Sequence, residues 1–154
     1  MQSASSVMRE RRMTLGLMLV AQFVAPLGLF GLGALAPLVH AALQLSREQF
    51  GYVGGLCAFG AVCVCIPTGW LADRLGVRWL LITGQLLSGL ALVTLLLWPT
   101  YGALLLAMLM VGVAHGATMV LTTKALADWF PRERRATVMG AKFMAQSGAG
   151  IVAG

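Results

Sequence analysis

Long runs without charged residues dominate this chain, and short polar or charged segments separate them. A run of about 20 apolar residues can cross a bilayer as a helix, and a helix satisfies its own backbone hydrogen bonds in lipid. The pattern therefore predicts five membrane-spanning helices and no strand. We number these spans 1 to 5; they lie near residues 13–39, 47–72, 79–98, 101–127 and 136–154.

Local signals mark several boundaries of these spans. Ser46 is the predicted N-cap of span 2, and Gln49 lies three residues later as its capping-box partner. Pro99 divides the long apolar run after Trp79 into spans 3 and 4. Four glycines in span 2 are expected to let another helix approach closely: Gly51, Gly54, Gly55 and Gly60.

The composition agrees with a membrane location. Hydrophobic residues make up 59% of the chain and charged residues 10%, whereas soluble domains have about 45–50% and about 25%. The excess of eleven Lys and Arg over five Asp and Glu could indicate nucleic-acid binding. Most of these cations flank the spans, however, so we expect a lipid bilayer as the partner and no nucleic acid.

The distribution of Lys and Arg predicts the orientation. They concentrate before residue 13 and in the segments 73–78 and 128–135, whereas the loop between spans 1 and 2 has Arg47 alone. Cationic loops stay in the cytoplasm, so residues 1–12 are predicted to be a cytoplasmic tail. The short loops and the absence of a eukaryotic targeting signal favour a bacterial inner membrane.

The segment 69–78 joins spans 2 and 3 and has a distinctive spacing of small and charged residues. It contains Gly69, Asp73, Arg74, Gly76 and Arg78. Gly69 and Asp73 are one helical turn apart on one face, and Gly69 is expected to allow close helix packing. Gly76 permits a tight turn, and the two arginines favour the cytoplasmic side.

This segment resembles the signature of the major facilitator superfamily, Gly-x-x-x-Asp-Arg-x-Gly-x-Arg, and departs from it at Trp79, where a basic residue is common. The resemblance implies an all-α, polytopic membrane helix bundle: the N-terminal half of such a transporter, truncated in span 5, with the second half absent. It also implies secondary active transport of a small solute by alternating access. Asp73 would belong to a cytoplasmic gate that closes against a helix of the second half.

Two departures from the family pattern refine these expectations. Met108 stands where many members carry an Arg, so the usual charge-relay partner of Asp73 is missing. The small-residue run of span 5 lacks the usual proline, so antiport is not supported, and symport with a proton or Na⁺, or uniport, is expected. Lys124 and Asp128 are predicted to form an i, i+4 pair at the membrane interface.

Four polar residues inside the spans are the candidate substrate ligands. His115 and Lys142 are ionisable, which makes them functional candidates by default; their predicted heights above the cytoplasmic end are roughly 10–15 Å and roughly 9 Å. Gln146 follows Lys142 by one turn, and Gln22 could face it across a cavity. Such a site would favour an anion. Two alternatives stay open: Lys142 extends to the cytoplasmic interface, and His115 is a packed, hydrogen-bonded residue.

Other classes of function remain as alternatives. Cys57, Cys63 and Cys65 are predicted to be small buried hydrophobes, and neither a disulfide, a metal site nor a cofactor is expected. A short glycine-rich membrane protein could form an oligomeric channel or scaffold. A membrane-embedded enzyme is disfavoured, because the spans offer His115 without an accompanying carboxylate.

Overall fold

The computed structural model describes residues 16, 18–27, 30–31 and 33–153. Among these residues the chain is helical, with short turns and no strand. The helices are α1 (Met18–Leu27), α2 (Ala36–Leu43), α3 (Arg47–Leu75), α4 (Val77–Leu97), α5 (Tyr101–Trp129) and α6 (Arg132–Ala153).

Three of the described helices, α3, α4 and α5, are long and apolar enough to cross a membrane. They contain 29, 21 and 29 residues, and 21 residues already extend about 32 Å at 1.5 Å per residue, against a hydrocarbon core of about 30 Å. The predicted fold class, an all-α membrane helix bundle, is confirmed. Crossings by α1 with α2 and by α6 stay predictions.

Two predicted features of α3 are present in the structure. The Ser46 side chain accepts from the Gln49 backbone N–H at 3.2 Å, and the Gln49 side chain accepts from the Ser46 backbone N–H at 2.9 Å, which completes the capping box. Gly76 ends α3 with φ of +83°, a conformation that glycine adopts without the steric cost of a Cβ.

Spans 1 and 5 differ from their predicted boundaries. In place of a continuous span 1, the structure shows α1 and α2, with a turn at Leu35. Pro37 follows this turn and has no backbone N–H to donate to the preceding turn. The predicted tail 1–12 and residues 13–15, 17, 28–29 and 32 of the predicted span lie outside the described residues. Helix α6 begins directly after Pro131, four residues before the predicted start, because Glu133 is well tolerated in a first helical turn.

Helix α5 lies at the centre of the bundle and packs closely on α3. A methyl group added at Gly112 would collide with the backbone of Cys57, and one at Gly116 would collide with the backbone of Ala61. A Cβ on Gly60 would lie 2.7 Å from the Leu109 carbonyl oxygen. Small residues thus allow backbone contact between two membrane helices.

Among the described residues, close approach is made at one of the four span 2 glycines, Gly60, and at the other three it stays a prediction. A Cβ on Gly51, Gly54 or Gly55 would meet no atom of the described structure within 4 Å. Gly51 and Gly55 border an open groove that Tyr101 and Leu105 of α5 also line, whereas Gly60 is in direct contact with α5.

Burial of the cysteines also differs from prediction. Cys57 is buried, but Cys63 and Cys65 are exposed. Both lie on α3 and are left uncovered by the residues that the structure describes; a membrane helix can expose such small apolar groups to lipid.

Candidate substrate site and cytoplasmic gate

Lys142 lies inside the bundle. Its exposed fraction is 2%, and its Nζ donates to the Met119 carbonyl oxygen at 3.1 Å and to Thr123 Oγ1 at 2.7 Å. Both acceptors are neutral and belong to α5. The ammonium group therefore does not extend to the cytoplasmic surface, and two of its three N–H donors have partners among the described residues.

Gln22 links α1 to α5 and α6. Its exposed fraction is 1%. Its Nε2 donates to Gln146 Oε1 at 3.2 Å and contacts Met119 Sδ at 3.3 Å, while its Oε1 lies 3.1 Å from Thr122 Oγ1. The structure thus brings Gln22, Gln146 and Lys142 together around one segment of α5, and their role as substrate ligands stays a prediction.

A cavity of about 180 Å³ adjoins these groups. Gln22 of α1, Thr122 and Leu126 of α5, and Val138, Ala141 and Lys142 of α6 are among the residues that line it. Apart from the edge formed by Gln22, Thr122 and Lys142, its walls are largely apolar. Three helices that meet at a polar edge could hold a small amphipathic molecule.

His115 lies on the same side of α5 but does not line this cavity. It is half-buried, and in the described part of the chain its Nδ1 has no hydrogen-bond partner. Seven residues separate it from Thr122, which corresponds to about 10 Å along the helix. The structure thus does not bring His115 into direct contact with the other three candidates.

The predicted heights of His115 and Lys142 were too small. Measured from Trp129 and from the start of α6, they are about 21 Å and about 15 Å at 1.5 Å per residue. The start of α6 four residues before the predicted one accounts for the difference at Lys142, about 6 Å, whereas α5 ends only two residues, about 3 Å, beyond its predicted end and explains part of the difference at His115. The two residues differ in height by roughly one helical turn.

Sequence reasoning missed the threonines of α5. The exposed fractions of Thr118 and Thr122 are 2% and 1%. Each hydroxyl also donates to a carbonyl one turn earlier, those of Ala114 and Thr118 respectively, and Gln85 of α4 donates to Thr118 Oγ1 at 3.0 Å. Their i, i+4 spacing within an apolar span was the available signal, since it places two polar groups on one face.

The 69–78 segment is joined to α5 by an ion pair. The Nζ of Lys124 bonds to Asp73 Oδ1 and donates to the Gly69 carbonyl oxygen at 3.3 Å. The predicted pairing of Lys124 with Asp128 was therefore wrong. Lys124 lies on the side of α5 that packs on α3, and this orientation brings the Asp73 carboxylate within reach.

Position 108, where many family members carry an Arg, is too far from Asp73 to provide its cationic partner. The Met108 side chain, 1% exposed, packs with Leu45, Val53 and Leu104 in an apolar cluster. Sixteen residues separate it from Lys124, about 24 Å along the helix. In this chain the cation beside Asp73 is Lys124, at the cytoplasmic end of α5.

The rest of the segment is open on its outer side. The Arg74 guanidinium lies 4.0 Å from the centre of the Trp70 ring, and Arg78 is exposed in the first turn of α4. A Cβ on Gly69 would meet no described atom within 4 Å. The close helix packing expected at Gly69 is therefore not made by the described residues, and the gating role of the segment stays a prediction.

Comparison with known proteins identifies the family. The sequence profile of the Major Facilitator Superfamily matches residues 18–154. The chain belongs to this superfamily. It is a multi-pass integral membrane protein related to transporters.

Named relatives agree with this assignment. The chain is 29% identical to a probable sulfoacetate transporter of Cupriavidus necator over 86% of its own length and 31% of the relative. It is 28% identical to a gentisate transporter of Corynebacterium glutamicum over 79% of its own length and 27% of the relative. An uncharacterized transporter of Bacillus subtilis is 29% identical over 77% of the chain. The chain thus spans less than a third of the length of these relatives.

Proposed function

We propose that the protein is a secondary active transporter that moves a small organic anion by alternating access, in symport with a proton or Na⁺. The observation that carries the proposal is Lys142, a buried ammonium group whose described partners are neutral oxygens. A Lys at the centre of a membrane helix costs about 2.5–3.5 kcal/mol on insertion scales. Such residues commonly mark substrate or ion pathways.

The charge of the site supports an anionic substrate. An anion that approached Lys142 could replace Thr123 Oγ1 as the acceptor of an ammonium N–H. It would gain a charge-assisted hydrogen bond in a largely apolar environment. Gln22 and Gln146 would provide polar neighbours. Two relatives are named for sulfoacetate and gentisate, both of which are organic anions.

Family membership supports alternating access. Transporters of this superfamily rock two halves around a site near the bilayer midplane, and α1, α5 and α6 would form one side of that site. The Asp73–Lys124 pair would belong to the cytoplasmic gate. We place the protein in a bacterial inner membrane with its N-terminus in the cytoplasm, because the cationic loops lie on that side.

The test of the proposed substrate class is replacement of Lys142 in the full-length protein. Uptake of labelled gentisate and sulfoacetate into proteoliposomes is measured for the wild type, Lys142→Met and Lys142→Arg. A hydrogen bond to a charged group contributes about 1.5–3 kcal/mol, so Lys142→Met should raise the apparent KM by about tenfold or more. Lys142→Arg retains the charge and should keep part of the affinity. Unchanged anion uptake by Lys142→Met, or transport of cations or sugars alone, would contradict the proposal.

The coupling is tested in the same vesicles. With an imposed inward proton or Na⁺ gradient we expect the anion to accumulate above its external concentration, and an ionophore that dissipates that gradient should abolish the accumulation. Uptake that stops at equal concentrations under both gradients would instead indicate a uniporter or an oligomeric channel.

A further inference from the structure

We propose that Gln22 is a positioning residue for Lys142: through Gln146 it holds α6 in the register at which the Lys142 ammonium meets α5, and it is not itself a ligand of the substrate. This inference rests on the proposed function, in which Lys142 binds the anion. It adds a division of roles at the site, between a residue that contacts the substrate and a residue that acts through its neighbour.

Two polar side-chain contacts, one helical turn apart, join α6 to its neighbours. Lys142 Nζ donates to the Met119 carbonyl oxygen at 3.1 Å and to Thr123 Oγ1 at 2.7 Å. Gln146 lies four residues, or about 6 Å, further along α6, and its Oε1 accepts from Gln22 Nε2 at 3.2 Å. The first contact alone would leave α6 free to rotate about it, whereas two contacts on one face of the helix fix both its rotation and its register.

Gln22 also contacts the turn of α5 to which Lys142 is bonded. Its Nε2 lies 3.3 Å from Met119 Sδ, and its Oε1 lies 3.1 Å from Thr122 Oγ1. Lys142 bonds to the carbonyl of the same Met119 and to the adjacent Thr123. These contacts close a triangle between α1, α5 and α6. Loss of the Gln22 side of the triangle would therefore let α6, and with it the ammonium group, shift relative to α5.

The chemistry of the two side chains favours the anion at Lys142 over Gln22. An anion needs a hydrogen-bond donor, and a glutamine amide has two N–H groups on one nitrogen. That nitrogen of Gln22 already donates to Gln146 and contacts Met119, in a side chain that is 1% exposed. Lys142 carries a full charge, which its described partners, both neutral oxygens, leave uncompensated.

Replacement of Gln22 by methionine tests the positioning role. Methionine is unbranched and adapts to the available space, but its thioether cannot donate to Gln146. In the reconstituted full-length protein we expect Gln22→Met to raise the apparent KM for labelled gentisate about threefold or more, as expected for the loss of one hydrogen bond between membrane helices. The maximal rate should change little. Gln22→Asn keeps the amide but is one methylene too short to reach Gln146, and it should raise KM in the same way if Gln22→Met does not fold.

Gln85→Met is the matched control. Gln85 Nε2 of α4 donates to Thr118 Oγ1 of α5 at 3.0 Å, so this variant also loses one amide hydrogen bond between helices but leaves the contacts of α6 in place. The melting temperatures of the two purified variants should fall by similar amounts, while Gln85→Met keeps the KM of the wild type. An equal rise of KM in both variants would assign the effect to general loosening of the bundle and would overturn the inference.

A double-mutant cycle with Lys142 separates positioning from direct binding. If Gln22 acts through the ammonium group, Gln22→Met should change the KM of Lys142→Met by less than about twofold, because the two losses are coupled and do not add. A full further rise in that background would show that Gln22 contacts the substrate itself, against the inference. Where uptake by Lys142→Met is too slow to measure, the rise in melting temperature that gentisate causes gives the same cycle.

Failure of this inference can be distinguished from failure of the proposed function. If Lys142→Met loses affinity for gentisate while Gln22→Met and Gln22→Asn keep the wild-type KM, the positioning role of Gln22 alone is wrong. If Lys142→Met transports gentisate and sulfoacetate normally, or the wild type transports neither, the proposed function fails and this inference fails with it.

Discussion

We expect Gly112→Ala to destabilise the protein more than any other single methyl addition considered for the described glycines. The added methyl group would lie well inside contact distance of the Cys57 carbonyl, closer than at Gly116 or Gly60. Backbone atoms cannot rotate away as a flexible side chain could, so α3 and α5 would have to separate. Overpacking of a tight contact costs about 1–3 kcal/mol, and a clash with a rigid backbone belongs at the upper end of that range. The expected result is a lower melting temperature of the detergent-purified full-length protein, followed by tryptophan fluorescence.

Gly89→Ala is the matched control. Gly89 lies on the exposed side of α4, and an added methyl group would meet no described atom within 4 Å. Alanine is favoured over glycine in a helix by about 0.8–1 kcal/mol, so this variant should be neutral or slightly stabilised. A melting temperature of Gly112→Ala equal to that of the wild type would show that the α3–α5 contact is looser than described here.

The positions of the long helices could be predicted from the sequence because lipid imposes a strict requirement. The predicted spans 79–98 and 101–127 correspond closely to α4 (Val77–Leu97) and α5 (Tyr101–Trp129). An apolar run indicates which residues can lie in hydrocarbon, but a helix can continue past that run into the headgroup region. This explains why α3, α5 and α6 extend further toward the cytoplasm than predicted.

The faces of the helices could not be predicted in the same way. In a soluble helix the apolar side identifies the core, but in a membrane helix the lipid-facing side is equally apolar. Gly54 and Gly112 are both small residues within apolar spans, yet of these two only Gly112 contacts a neighbouring backbone among the described residues. The difference depends on the rotation of α3 and α5 about their axes, which composition alone does not determine.

The candidate site was predictable where polar residues stand out against apolar spans. Gln22, Lys142 and Gln146 were identified by their chemistry and by i, i+4 spacing, and the structure places them together. Their partners Thr122 and Thr123 were not identified, because a threonine can satisfy its own hydroxyl on the preceding turn and is common in apolar spans. His115 was identified by the same signal; it lies outside the cavity between α1, α5 and α6, and its role as a substrate ligand stays a prediction.

The cytoplasmic ion pair shows why local spacing can mislead. Lys124 and Asp128 have the spacing of a helical ion pair, but Lys124 instead bonds to Asp73, 51 positions earlier in the chain. The orientation of α5 against α3 determines which carboxylate the ammonium reaches. Disruption of this Asp73–Lys124 contact is the second change from which we expect a large effect.

Reversal of the charge at Asp73 should nearly abolish transport. In Asp73→Lys two ammonium groups would face each other at the position of the ion pair, and the Lys124 side chain would be repelled from the end of α3. Exposed ion pairs stabilise a fold only slightly, and the Asp73 side chain is 68% exposed, so the amount of protein in the membrane should change little. We expect the initial rate of uptake by the full-length protein to fall by about tenfold or more, equivalent to a barrier increase of at least about 1.4 kcal/mol. The milder Asp73→Asn should lie between this variant and the wild type.

The swapped variant Asp73→Lys/Lys124→Asp tests whether transport depends on the ion pair itself and not on either residue alone. If transport depends on attraction between the ends of α3 and α5, the swap should recover a substantial part of the rate that each single reversal loses, which a double-mutant cycle measures as coupling. Asp128→Asn removes an exposed carboxylate one turn beyond Lys124 and should transport normally.

Full loss in the swapped protein would mean that Asp73 acts through a partner other than Lys124, such as the helix of the second half that family resemblance implies. Normal uptake by Asp73→Lys would instead remove the gating role from this segment, because a gate that depends on the carboxylate cannot tolerate its reversal.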